Sequence, residues 1–296
     1  GLEQVCKLIS SKFISSWFGV DNLDEARVVR QIAPKNPVLV LGYTQNARLK
    51  EAAKLGARIT VYNWETIRAI KNVARDFMSS QSGKLGAALR VHVKLETGTT
   101  RQGIGTDEAV DFIKALQKIN GVEIEGISTH FADSEDTHSD YALTQLKRYN
   151  SVIKRLHGAN IAIPVHHTAC TATTLRLPQA HGNLVRVGIG MYGLWPSEGV
   201  KDYVTRDFMS RTGGTRGAAP RQFAIHPVLT WKTIVVQIKD VKIGTPVSYD
   251  LTERVAHNSR VAVLPIGYWD GYDRGLSGIG EVLVNGKRCK VLGRVC

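Results

Sequence analysis

The sequence predicts an α/β chain: a (β/α)8 TIM-type barrel lacking its first strand over residues 1–225, then a partial all-β domain over 226–296. Three observations predict it. Seven short apolar stretches alternate with helical patterns at βα spacing, which implies a parallel sheet with helices outside. No GxGxxG follows any strand, which argues against an open dinucleotide-binding sheet. Beyond residue 228 the helical period disappears, and β-rich runs with turns such as Asn285-Gly286 replace it.

The elements follow in order. Residues 3–15 read as a helix with Val5, Leu8, Ile9, Lys12 and Phe13 on one side. A strand at 16–20 leads to a helix at 23–31 capped by Asp21 or Asn22. The continuous apolar run at 38–41 marks a strand buried on both faces. A helix at 45–55 is closed by Gly56. Strand 58–62, helix 64–78 and a polar loop at 79–83 come next. Strands at 87–95, 122–129 and 161–167 alternate with helices at 106–118, 141–156 and 171–176. Residues 184–188 read as the seventh strand. Because the chain opens in a helix, the missing unit is expected to be a first strand before Gly1. Residues 196–221 read as a loop or insertion, and 228–241, 260–265 and 281–284 as strands of the second domain.

With 296 residues and 43% hydrophobic content, the chain can bury one large core and one small one. It contains no apolar run of the roughly 18 residues that a membrane helix needs, and no charged-then-apolar N-terminal signal. Its four cysteines show neither a CxxC pair nor metal spacing, so a reduced cytoplasmic protein is expected. The net charge of +13 is spread without a basic, aromatic-interleaved stripe, which reads as a solvated surface rather than a nucleic-acid interface.

Five segments fall where a barrel places its chemistry, at the C-terminal ends of strands, or in the second domain. KLETGTTR puts Lys94 at a strand end and Arg101 in a loop near a carboxylate. THF puts His130 at a strand end. In HHTACT, His166 and His167 face opposite sides of a strand, which argues against one shared metal; Thr171 opens a helix where a hydroxyl can meet phosphate. NLVRVGIGMYGL at 183–194 sets Arg186 beside Gly188-Ile189-Gly190, a fixed cation next to bare N–H groups. VSYD and GYWDGY carry Tyr249 and Tyr268. The acidic loop with Asp133, Glu135, Asp136, His138 and Asp140 reads as solvated, and Cys170 has no evident base.

Together these stretches, with HHTACTATTLRLP, LPIGYWDGY and the terminal VLGRVC, resemble the alanine racemases, pyridoxal-phosphate (PLP) enzymes built from a barrel and a C-terminal β domain. The resemblance runs in order along nearly the whole chain. It implies a racemase that interconverts L- and D-alanine with two bases on opposite faces of the α-carbon, supplying cell-wall D-alanine in the cytoplasm. It implies that Arg186 bonds the pyridine nitrogen, that His130 bonds Arg186 and a tyrosine, and that Tyr249 is a catalytic base reaching the other subunit of a homodimer. Thr171, Gly188 and Ile189 match phosphate-binding positions. Arg101 matches an arginine near the cofactor's phenolic oxygen and the substrate carboxylate. Lys94 matches a lysine carbamylated in some members, and Tyr268 a residue lining the substrate entrance. No metal, nucleic acid or membrane partner is implied.

The sequence departs from the family pattern at both ends. The lysine that carries PLP, expected just before Gly1, has no counterpart, and the residues after the terminal cysteine are absent, so the chain by itself is expected to be inactive. Cys170, Thr99 and Thr100 leave open a serine or broad-specificity racemase. A non-catalytic PLP-binding barrel protein would lack the second domain, and a carbohydrate or aldol barrel would have Lys94 as its only candidate lysine.

Overall fold

The structure, a computed structural model, describes residues 1–13, 15–79, 88–212 and 225–296. They form two compact units, Gly1–Val228 and Leu229–Cys296. In the first, β1 (Phe18–Val20), β2 (Val38–Val40), β3 (Arg58–Val61), β4 (Leu89–Glu96), β6 (Val122–Ser128) and β7 (Val165–His167) pair in parallel in chain order, and short β5 (Ile104–Gly105) pairs β4. Helix α1 (Leu2–Lys12) precedes β1; α2 (Leu23–Ile32), α3 (Leu49–Leu55), α4 (Trp64–Ser79), α5 (Ala109–Gln117) and α6 (Tyr141–Gly158) lie between successive strands, and α7 (Thr171–Arg176) follows β7. The curled parallel sheet with helices, followed by a small all-β unit, is the predicted fold class.

Local chemistry sets the boundaries. Asn22, rather than Asp21, caps α2, its side-chain oxygen accepting from the N–H groups of Asp24 and Glu25 at 3.0 Å each. Gly56 ends α3 at φ 62°, a left-handed conformation that suits glycine. The buried face of α1 is Cys6 with Ile9, whereas Leu8 and Phe13 are exposed; the expected stripe is thus displaced.

Register separates two faces of the sheet. Ile59 pairs with Val91 and Val61 with Val93, and this apolar face meets Ile70, Phe112, Ile113 and Leu116 of the helices in one buried core. Each such buried side chain contributes about 1.5–3 kcal/mol. The opposite face is polar: Thr60 pairs with His92, His92 with Gly126, Lys94 with Ser128, and Ser128 with His167. Between Val91 and His92 the register with β6 shifts, because Val91 faces Ile124 while His92 faces Gly126. Glu125 is the extra residue of this bulge, which turns its side chain to the polar face.

Two expectations need correction. Residues 184–188 are not a strand. The Asn183 side chain takes the places a strand would fill, accepting from the His166 N–H at 2.8 Å and donating to the Pro164 carbonyl at 2.7 Å. The segment's backbone then bonds β7 and its exit through the N–H groups of Leu184, to His166 O, and Arg186, to Ala169 O. Nor is 196–221 a plain loop: α8 (Glu198–Thr212) begins there, because Val200 and Val204, one turn apart, bury against Ala172. The remainder of that stretch, and most of the expected 79–83 loop, lie outside the described residues.

The second unit contains three two-stranded antiparallel sheets: β8 (Gln237–Val241) with β11 (Ser259–Val263), β9 (Pro246–Val247) with β10 (Glu253–Arg254), and β12 (Glu281–Val284) with β13 (Lys287–Lys290). Asn285 and Gly286 join the last pair with positive φ at both positions, the turn expected of that dipeptide.

A β-carbon at Gly126 would overlap the buried His92 ring. Gly126→Ala should therefore destabilise the first unit by about 1–3 kcal/mol. An unchanged urea midpoint would show that the His92 ring is not packed against this backbone.

Candidate active site

The strand ends and their loops gather Lys94, Arg101, His130, Thr171 and Arg186 in the first unit. The loop after β4 folds around Glu96, whose carboxylate accepts the N–H groups of Gly98 at 2.5 Å, Thr99 at 2.6 Å and Arg101 at 3.1 Å. Burial would raise the Glu96 pKa, but these backbone bonds outweigh it and hold the group below its ordinary value. Helix α6 clamps the same loop. The fully buried Gln145 donates to Thr97 Oγ1 and the His130 carbonyl, and accepts from the Ala132 N–H; Arg148 donates to the Thr97 carbonyl at 2.7 Å. The Arg101 guanidinium is exposed and has no partner among the described residues.

Lys94 donates to Gln102 Oε1 at 3.2 Å. Burial, then Arg101 and Arg186, lower its pKa to about 8. Burial, then Arg186, Arg101 and Lys94, lower His130 to about 4, so its ring is neutral at pH 7. Arg186, lowered to about 10 by burial, is held from two sides. Nη1 donates to His167 Nδ1 at 2.7 Å and to the His167 carbonyl at 2.5 Å; Nη2 donates to the carbonyls of Thr129 at 2.7 Å and Thr168 at 3.1 Å. The ring expected to hold Arg186 was that of His130, yet among the described residues it makes no hydrogen bond, and His167 takes that place because its side chain shares the polar face.

Beside Arg186, Thr171 Oγ1 accepts from the Gly188 N–H at 3.0 Å, with Gly190 N at 3.5 Å. The Ile189 N–H, at the start of the 3-10 turn Ile189–Tyr192, has no acceptor among the described residues. A β-carbon at Gly188 would meet open space. The site thus offers a hydroxyl, one uncommitted backbone donor and cations, chemistry suited to a phosphate and a carboxylate.

Sequence reasoning passed over a buried line behind Arg186. His167 Nε2 lies 2.8 Å from His92 Nδ1, and His92 Nε2 lies 3.1 Å from Glu125, which Arg58 holds at 2.7 and 2.9 Å. Burial would raise Glu125, but hydrogen bonds from His92 and Arg58 bring it to about 2. Burial lowers His92, and lowers His167 far below its ordinary value. The available signal was alternation: His92 and Lys94 are two apart on one strand. His166 does face the other way, with Nδ1 2.9 Å from the Tyr149 hydroxyl. Among the described residues no group of three or more His, Cys, Asp or Glu is placed to hold a metal.

In the second unit three separate motifs converge. Ser248 donates to the Arg294 carbonyl at 2.8 Å, Asp250 pairs with Arg294 at 2.8 Å, and the Tyr268 N–H donates to the Cys296 carbonyl at 3.0 Å. Tyr249 stands on a turn in which Ser248, Asp250 and Leu251 all have positive φ, and it is 70% exposed. Tyr268 is also exposed.

A family model described as the alanine racemase N-terminal domain matches residues 1–196, and one described as the C-terminal domain matches 228–296. Alanine racemase 1 of Oceanobacillus iheyensis is 33% identical over 283 residues, 95% of this chain and 68% of its own length. The alanine racemase of Desulforamulus reducens is 35% identical over 278 residues, 94% of this chain and 68% of its own. Among solved structures, Clostridium difficile alanine racemase superposes with a TM-score of 0.82 at 28% identity, covering all of this chain and 70% of its own. The Bacillus anthracis alanine racemase with bound L-Ala-P gives 0.77 at 29% identity, covering all of this chain and 77% of its own.

The perturbed groups set a pH dependence of stability. His92, His130 and His167 have folded pKa values below the ordinary 6.5, so below that pH the unfolded chain takes up protons that the native one refuses. Glu125 adds stability above its ordinary 4.5 that is lost as pH falls towards about 2. Melting temperature should therefore fall by several degrees between about pH 7 and about pH 5, and further below that. A flat calorimetric profile over that interval contradicts the buried neutral histidines.

Proposed function

The chain belongs to the alanine racemase family, and from that premise we propose that the native protein interconverts L- and D-alanine with PLP as cofactor. The observation that carries this reading is the hydrogen count on Arg186. A guanidinium has five N–H groups. Four, on Nη1 and Nη2, are taken by protein acceptors, and only the Nε–H has none among the described residues. One remaining donor on a group that keeps its proton suits one ring nitrogen and leaves that nitrogen unprotonated. The Thr171 hydroxyl and the N–H groups at 188–190, with open space beside Gly188, suit a phosphate monoester. PLP, when bound, supplies the electron sink that stabilises a carbanion at the α-carbon.

The remaining roles fall to the chain's own groups. Arg101, with its free guanidinium, would hold the substrate carboxylate. Lys94, at a pKa of about 8, has an accessible neutral amine, the form that adds CO2 with loss of a proton. The resulting carbamate would place a negative charge among Arg101 and Arg186 and orient Arg101. Tyr249 would move the α-proton on one face while a second base serves the other. The exposure of Tyr249 on a fixed turn supports a reach into the other subunit of a homodimer, with Tyr268 at the substrate entrance. The first unit would be the PLP-binding domain, with its boundary near 225. Free cysteines support a reducing, cytoplasmic setting, and the family reading gives the enzyme the supply of D-alanine to the cell wall.

The test is racemisation of L- and D-alanine by the purified native protein with PLP, followed by circular dichroism. Tyr249→Phe should lower the rate about 100- to 10,000-fold while PLP absorbance remains. Undiminished racemisation would remove Tyr249 from the chemistry. A PLP-loaded native protein that racemises neither enantiomer would end the alanine racemase reading.

A further inference from the structure

The buried line behind Arg186 has two ends of fixed character. Arg186 can only donate and never gives up its protons at working pH. Glu125, ionised and held by two bonds from Arg58, can only accept. Two imidazoles lie between them, and each offers one donor and one acceptor when neutral. With Nη1 of Arg186 donating to His167 Nδ1, the His167 proton must sit on Nε2. That proton can go only to His92 Nδ1, so the His92 proton sits on Nε2 and goes to Glu125. No other placement gives every contact one hydrogen. A flip at either ring would set donor against donor inside the sheet.

The surroundings hold this arrangement. His92 is fully buried, and the Arg58 and Glu125 side chains are 11% and 12% exposed. Trp17 covers the line, with the Arg58 guanidinium 4.9 Å from its ring centroid and the His92 ring centroid 5.7 Å from its own in an edge-on arrangement. Gly126 leaves room for the His92 ring, and the bulge turns Glu125 towards it.

We propose that Glu125, held by Arg58, is a positioning residue for Arg186: acting through His92 and His167, it fixes both tautomers and so keeps the Nη hydrogens of Arg186 on protein acceptors and its Nε–H free for the pocket. This rests on the reading that Arg186 faces the cofactor. Glu125 touches neither substrate nor cofactor in that scheme. Removing its carboxylate frees the His92 proton to move to Nδ1, which displaces the His167 proton to its own Nδ1 and opposes the Arg186 N–H.

The experiment is 15N NMR of the PLP-loaded native protein labelled at histidine. Both rings should be protonated at Nε2 alone from neutral pH into mild acid. Protonation of either ring at Nδ1, or at both nitrogens, at neutral pH would overturn the proposal without any variant being made. In Glu125→Leu both rings should show mixed tautomers. Its kcat should fall roughly 10- to 100-fold, with KM for alanine within about twofold. Glu123→Leu, which removes a carboxylate paired with Arg90 outside the line, should leave the tautomers and kcat unchanged. Mixed tautomers in Glu125→Leu with undiminished kcat would overturn the positioning role while leaving the racemase reading intact. A native protein with the expected tautomers that binds PLP but does not racemise would sink that reading instead.

Discussion

A guanidinium drawn out of water needs acceptors for its N–H groups, or the lost hydration is costly. Arg186 meets this need at four of its five N–H groups with three carbonyls and an imidazole, and much of the first unit is arranged to supply them. Thr129 and Thr168 bring their carbonyls from the exits of β6 and β7. Their own hydroxyls are engaged elsewhere, Thr129 with Thr97 at 2.7 Å and Thr168 with the Ala180 carbonyl. Asn183 fixes the point at which the segment carrying Arg186 leaves β7. The polar face of the sheet is therefore a consequence of one charge placed inside a parallel sheet, where an apolar filling would otherwise serve.

The cation also governs its neighbours. His130, His167 and Lys94 all have pKa values lowered by burial and by Arg186. Lys94, Arg101 and Arg186 are close enough to repel one another and together draw anions. Glu96 does not cancel them, because backbone N–H groups already occupy it. One carboxylate that does balance charge, Glu125, sits at the far end of the line, bound to Arg58.

Much of this was legible from residue pattern. The apolar run at 38–41 and the glycine after α3 marked their elements correctly, and the stretch around Arg186 lies, as read, at the exits of the strands. Three kinds of feature were not legible. The bulge at Glu125 is a register relation between two strands, invisible in either strand alone. Residues 184–188 look like a strand because they are apolar, but the Asn183 side chain has already used the hydrogen bonds a strand would need. Helix α8 was hidden because, among its described side chains, only Val200 and Val204 form a buried stripe, against a stretch otherwise rich in charge and glycine. In the second unit, PVSYD, LPIGYWDGY and VLGRVC are far apart in sequence. Their meeting at Arg294 and Cys296 depends on tertiary contacts that no local pattern encodes.

The order of strands in the sheet has a kinetic consequence. Because β1, β2, β3, β4, β6 and β7 lie side by side in the order of the chain, each βα unit can dock on the one before it. Because each partner strand is the next along the chain, a chain emerging from a ribosome can build such a sheet progressively. Arg186 comes after all of them, and its bond to the Thr129 carbonyl spans 57 residues. The charged latch is thus set only when the sheet beneath it exists. Until then the polar face is open to water, where its histidines and Glu125 are solvated and at no risk of being trapped unpaired.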